Sequence, residues 1–462
     1  MQFKSTRSSE KTGAEEAICR GIAADGGLYV PCEFPKIDLQ ELAGKEYCDI
    51  AFHILSQFLT GFDDLRKHIL TAYAGSIPVA LHCLNANAGI LELFHGNTAA
   101  FKDVALQLLP YLLTASMRKT GEKRKAVILV ATSGDTGSSC MSGFANVPDT
   151  EVIVFYPDAG ISEIQKRQMT AQEGENVHAI AVRGNFDDAQ KAVKEIFADS
   201  DFLRNFADRY VFSSANSINP GRLLPQIAYY FYAYAALLDS GRIENGEQVN
   251  FSVPTGNFGN ILAGYYAAKM GLPVKKLICA INRNCVLYDF FNTGIYDRNR
   301  EFYVTLSPSM DILVSSNLER LIYDFYGEDT VIATQSSLKK SGKFAIDNSK
   351  MREIFRVEKI NDDETTAIIG KVYAENKYLL DPHSAIAFGA YEKCVNDNVY
   401  TVILATASPY KFFETVEKAT GEKLNENNMP CKLKNIMNKP VLHNKIIDRD
   451  KMREAIKEVL QR

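Results

Sequence analysis

Beginning near residue 90, the chain alternates short, mostly apolar runs with stretches of helical spacing, and this alternation limits its possible folds most. Residues 126–131 read AVILVA and residues 151–156 read EVIVFY. The runs at 177–182, 249–253, 274–281 and 399–405 are of the same kind. A strand with no polar side must be covered on both faces, as in a parallel sheet with helices above and below. The intervening stretches fit that role. Residues 186–198 place Ala189, Val193, Ile196 and Phe197 on one helical face, and residues 260–270 follow a strand directly. A helix opening at Ser162 has Gln165 three residues on, the pattern of a capping box. The expected class is α/β, doubly wound, with mostly parallel sheets. Ligands of such sheets sit beyond the carboxyl ends of the strands, so the loops there are the place to look for chemistry.

The 462 residues exceed one ordinary core, which points to two or three domains. Residues 1–90 read as mixed helix and loop, with a turn at Asp25-Gly26-Gly27 and helical spacing over 50–59. A net charge of −4 lacks the concentrated basic footprint of a nucleic-acid protein. Nine scattered cysteines without a CxxC suggest reduced thiols and speak against a zinc site. The longest apolar stretch, 223–238, is broken by Pro225 and Gln226 and is too short for a membrane span. The polar start MQFKSTRSSEK lacks the apolar centre of a signal peptide, so the expected location is the cytoplasm. Residues 422–445, rich in Asn and Lys, read as an exposed connection before a terminal helix from about Asp450.

Four segments carry candidate chemistry. In LFHGNTAAFKD (93–103), Lys102 lies among apolar neighbours. Burial lowers a lysine pKa, and a neutral amine is what a Schiff base requires; the bland alternative is a lysine that snorkels to solvent. TSGDTG (132–137) follows the run AVILVA and opens a helix, whose N–H groups suit a carboxylate or a phosphate or merely form a capped turn. TGNFGN (255–260) repeats this design after a second strand and matches neither the Walker loop nor GxGxxG. SSANSINPGR (213–222) offers Asn216, Ser217, Asn219 and the forked cation of Arg222, suited to phosphate or else a loop capping the next helix.

Together with AADGGLYVP (23–31), TLSPSMDILVSSNLERL (305–321), DPHSAIAF (381–388) and TASPYKF (406–412), these segments resemble the threonine synthases. Those are pyridoxal-phosphate enzymes of the tryptophan-synthase-β-like fold. The resemblance runs through most of the chain. It implies an N-terminal domain over 1–90 and a catalytic region over 91–462. The latter would comprise a smaller lobe at about 110–245, a larger lobe at about 91–109 and 246–420, and an extension over 421–462.

The resemblance also implies roles. Lys102 would carry pyridoxal 5'-phosphate as a Schiff base and act as the catalytic base. Gly256, Asn257, Phe258, Gly259 and Asn260 would cradle the cofactor phosphate, Asp135 would lie near its phenolic oxygen, and Thr406 would face its ring nitrogen. Thr98, Ser133, Gly134 and Thr136 would hold the substrate carboxylate or phosphate, and Asn216 and Arg222 the phosphate of O-phospho-L-homoserine. The expected partners are that small molecule alone, with no nucleic acid or membrane, in a monomer or homodimer. Asn97 stands where the family commonly has proline, and Ser408 where it commonly has histidine. His95 and His383 remain open between substrate contact and structure. A dehydratase or cysteine synthase of the same fold would need no γ-phosphate pocket, and a non-catalytic relative would not need Lys102.

Overall fold

The computed structural model describes residues 1–184, 186–394 and 398–461. The apolar runs form two sheets. One has five parallel strands in the order Ile446–Ile447, Val177–Val182, Thr150–Pro157, Lys125–Ala131, Tyr210–Ser213. The other has six strands in the order Phe355–Lys359, Val274–Ile281, Val249–Pro254, Thr401–Ala405, Ala88–Glu92, Ala80–Cys83. Its first five strands pair in parallel and Ala80–Cys83 closes the edge antiparallel. The strands Lys125–Ala131, Thr150–Pro157, Val249–Pro254 and Thr401–Ala405 are buried almost end to end, as their lack of polar alternation requires.

Helices cover both faces of each sheet. The apolar stretch from Leu223 is not a membrane element. It forms most of the helix Pro225–Asp239, buried nearly all round against Tyr47–Phe58 and Gly259–Lys269. Among the described residues no helix is long and apolar enough to cross a membrane. The helix Phe186–Ala198 buries Ala189, Val193 and Ile196 against Val127, Leu129 and Ile153 of the five-stranded sheet. The Ser162 capping box forms in full. The Ser162 hydroxyl accepts from the Gln165 N–H, and the Gln165 side chain returns a bond to the Ser162 N–H.

The N-terminal region contains more strand than its sequence signals. Gln2–Ser5 pairs antiparallel with both Lys11–Gly13 and Tyr29–Pro31. It joins the largest apolar cluster through Phe3, Ile54 and Phe58, so it is packed onto the rest of the chain rather than tethered to it. At the other end, Ile446–Ile447 adds an edge strand to the five-stranded sheet. The helix Met452–Leu460 then lays Met452, Ile456 and Leu460 on the outer face of that sheet.

Candidate active site

The carboxyl ends of the two sheets face one cavity of about 380 Å³. Lys102 stands in it at the start of the helix Lys102–Leu106. The preceding loop is pinned to the segment after strand Thr401–Ala405. Phe101 N–H donates to the Thr406 carbonyl at 2.8 Å and Ser408 N–H to the Ala99 carbonyl at 3.0 Å. Thr406 is thereby brought to the cavity wall beside the lysine. Lys102 Nζ lies 3.4 Å from Asp135 Oδ2 and 3.4 Å from Ser309 Oγ. Burial pushes its pKa below the usual lysine value; Asp135 opposes that shift, and the nearby charges of Arg222 and Lys411 add to it.

The first loop, Thr132–Gly134, leads into the helix Asp135–Phe144. Thr132 Oγ1 accepts from the N–H groups of Gly134 and Gly137 at 3.0 and 2.9 Å. Gly134 has φ of 134°, and a β-carbon there would come within 2.6 Å of the Gln165 side chain, so only glycine fits. Asp135, at the helix start, is buried and saturated. Its Oδ1 accepts from Gln165 Nε2 at 2.8 Å and pairs with Lys411 Nζ at 2.7 Å, while Oδ2 faces Lys102. Burial alone would raise its pKa, but the charges of Lys411 and Lys102 outweigh burial and hold the carboxyl far below the usual range.

The second loop follows strand Val249–Pro254 and leads into the helix Gly259–Lys269. Phe258 takes the left-handed conformation, with φ of 64°. A β-carbon on Gly256 would lie 2.9 Å from the Ser309 carbonyl oxygen. Asn260 accepts on Oδ1 from the hydroxyls of Tyr229 and Tyr230, at 2.5 and 2.9 Å. Its Nδ2 is buried with no partner although the residue lines the cavity. Across the cavity Arg222 is buried, donates to the Ala215 carbonyl at 2.5 Å, and has no carboxylate partner among the described residues. Burial pushes its pKa down to about 10.

A phosphate-bearing cofactor fits these residues. The second loop offers a helix N-terminus, a close glycine approach and an unpartnered buried donor, all of which call for an anion. Lys102 offers an amine whose charge is disfavoured.

Most of the expected site residues come together. Lys102, Ser133, Asp135, Thr136, Asn216, Arg222, Gly256, Asn257, Phe258, Gly259, Asn260 and Thr406 all line the cavity. Thr98 and Gly134 do not. The Thr98 hydroxyl donates to Asp103 Oδ1 and meets Ser139 Oγ, each at 2.7 Å, and its carbonyl accepts from Lys411 and Gln168, each at 2.9 Å. Thr98 therefore braces the Lys102 loop instead of facing a ligand. His95 pairs with Glu92 at 2.7 Å near the surface. His383 does reach the cavity, its Nδ1 held by Asp381 at 2.8 Å and its Nε2 accepting from Ser309 N–H at 3.3 Å. Two residues were not singled out from the sequence, Lys411 and Ser309, and Gln165 was read only as part of a capping box. Lys411 carried a signal comparable to that of Lys102, a lysine set among apolar residues, here between Tyr410 and Phe412.

Family models match the N terminus of threonine synthase over residues 2–73, the pyridoxal-phosphate-dependent enzymes over 90–404 and the threonine synthase C-terminal region over 384–459. A threonine synthase of Pseudomonas aeruginosa is 42% identical over 435 residues, covering 91% of this chain and 90% of that protein. This chain belongs to the threonine synthase family of pyridoxal-phosphate-dependent enzymes. Crystal structures from the family agree. A PLP-bound threonine synthase from Brucella melitensis matches with a TM-score of 0.91 and 37% identity, covering 99% of each chain. The yeast threonine synthase matches at 0.90 and 36%, covering 100% of this chain and 99% of that one. The cofactor of the family is thus pyridoxal phosphate, and the cavity just described is where this chain can hold it.

Proposed function

We propose that this chain converts O-phospho-L-homoserine and water to L-threonine and phosphate, by loss of the γ-phosphate followed by addition of water at the β carbon. The observation that carries this reading is the single cavity that joins Lys102 to two separate anion sites, the Gly256–Asn260 loop and Arg222. One serves the cofactor phosphate, and the other is left for a second phosphate.

When bound, pyridoxal phosphate supplies the electron sink that makes protons on the α and β carbons removable. The protein does the rest. Lys102, whose burial favours the neutral amine, takes up and returns protons at Nζ. Asp135, fixed as a carboxylate by Lys411, orients that amine, and would stand near the phenolic oxygen of a bound cofactor. Thr406 would face the ring nitrogen of the bound cofactor, and Ser133 and Thr136, which line the same cavity, would hold the substrate carboxylate or phosphate. Asn216 and Arg222 hold the leaving phosphate, where a buried guanidinium stabilises the charge that builds on it.

The N-terminal domain expected over 1–90 packs on the catalytic lobes, except that its last strands, Ala80–Cys83 and Ala88–Glu92, belong to the six-stranded sheet itself. The lobes follow the division into a smaller one at about 110–245 and a larger one at about 91–109 and 246–420, with an extension over 421–462. The enzyme works in the cytoplasm as a monomer or homodimer, without nucleic acid or membrane.

The test compares wild type with Lys102→Ala. Wild type plus pyridoxal phosphate should show the visible band of the lysine-bound cofactor, release phosphate from O-phospho-L-homoserine and form threonine. The variant should do neither. Keto acid and ammonia from serine, without phosphate release, would instead establish a dehydratase.

A further inference from the structure

One fully buried cation has no part in the chemistry above. Arg320, on the helix Leu318–Ser341, is 0% exposed and has no carboxylate partner among the described residues. Its neighbour Glu319 is already taken by Arg7, at 2.9 and 2.7 Å, and by the Thr6 hydroxyl at 2.6 Å. A guanidinium buried without a counter-ion is costly unless oriented dipoles replace water. Here they do. Nε donates to the Tyr29 carbonyl at 2.9 Å, Nη1 to the Ser217 carbonyl at 3.1 Å and to Asn317 Oδ1, and Nη2 to the Ile218 carbonyl at 2.5 Å. Asn317 carries the connection onward. Its backbone N–H and Nδ2 donate to the Asn257 carbonyl at 3.1 and 3.0 Å, and Nδ2 also donates to Ser217 Oγ at 2.8 Å.

One planar fork therefore joins three segments distant in sequence. They are the N-terminal strand Tyr29–Pro31, the Ser217–Ile218 backbone between Asn216 and Arg222, and, through Asn317, the Gly256–Asn260 loop. We infer that Arg320 is a positioning residue for substrate phosphate recognition, and that through its bond to Tyr29 the N-terminal domain sets the geometry of the substrate loop. The inference rests on the reading of Asn216 and Arg222 as the phosphate-binding pair. Lysine cannot replace the fork, because three carbonyls in different directions need planar, divergent donors.

The test uses the holoenzyme and three variants: Arg320→Lys, Arg7→Gln and Arg222→Gln. Calorimetry measures inorganic phosphate binding, and steady-state kinetics separate KM from kcat for O-phospho-L-homoserine. Arg320→Lys should weaken phosphate binding and raise KM by the same factor, about 10-fold, with kcat changed far less. Arg7→Gln, at a partly exposed site, removes the clamp on Glu319 without a fully buried change. It should move both quantities the same way by about 2-fold, and it keeps the test open if Arg320→Lys does not fold. If both variants keep wild-type phosphate affinity and KM, with only melting temperature lowered, Arg320 is merely structural and the inference fails. If Arg222→Gln also leaves phosphate binding intact, it is the reading of the loop that has failed.

Discussion

The two strand–loop–helix turns that face the cavity look alike in sequence and differ in electrostatics. TSGDTG and TGNFGN each follow a buried strand, and each places glycines where the chain must turn tightly. The first sets a carboxylate, Asp135, at the start of its helix and surrounds it with Lys411, Gln165 and Lys102. The second has no acid and leaves Asn260 Nδ2 buried and unpaired. The first helix N-terminus thus already has an anion of its own beside it, whereas the second keeps a buried donor free for one. Their supports differ as well. The first is braced by the helix Glu163–Thr170, on which the helix Cys431–Asn438 packs. The second is tied through Asn317 and Arg320 to the N-terminal strand.

Four measurements would break or sharpen this contrast. The largest effect belongs to the residue the two loops share. Lys102→Ala should lower turnover by about 10³-fold or more, measured as phosphate release with cofactor in excess. Second, Asp135→Asn leaves Lys411 buried without its carboxylate, which should cost about 3–5 kcal/mol in denaturant unfolding. That contribution also depends on pH. The folded-state pKa of Asp135 is depressed, so its stabilisation is fully present above the ordinary carboxyl value of about 4 and disappears as pH falls below it. The gap between wild type and Asp135→Asn should therefore narrow in acid; a constant gap would mean the charge is not what matters.

Third, Asn260→Asp places an acid in the second loop and should weaken pyridoxal phosphate binding by about 10- to 100-fold, read by absorbance titration. Unchanged affinity would remove the distinction drawn here. The smallest effect is expected at Asn97. Its side chain accepts from Lys432 at 2.8 Å and donates to Gln107 at 3.1 Å, linking the helix Cys431–Asn438 to the Lys102 loop. Asn97→Pro should cost about 1 kcal/mol in stability and leave cofactor affinity alone.

Periodicity made the sheets legible where strands were long and apolar on both faces. Ala88–Glu92 escaped notice because AGILE runs on into LFHG without a break, and Ile446–Ile447 because two residues carry no period. The four polar segments identified the cavity because each sits at a strand end, a position that sequence pattern and sheet topology fix together. What stayed hidden was pairing across long sequence separations. Nothing near Lys411 announces Asp135, and nothing near Arg320 announces Tyr29. Thr98 shows the converse. Its motif suggested a ligand contact, but Asp103, five residues on and fully buried, claims its hydroxyl.

The edge strand Ile446–Ile447 and the helix Met452–Leu460 bear on how the chain matures. Both complete a sheet whose central strands emerge from the ribosome much earlier. Until residues 446–460 are released, Ile180 and Val182 lack part of their apolar cover and the Val177–Val182 edge stays open to other chains. Synthesis stalled or cut short just before this point should therefore yield aggregates dependent on chaperones, although nearly all of the catalytic apparatus has already been made.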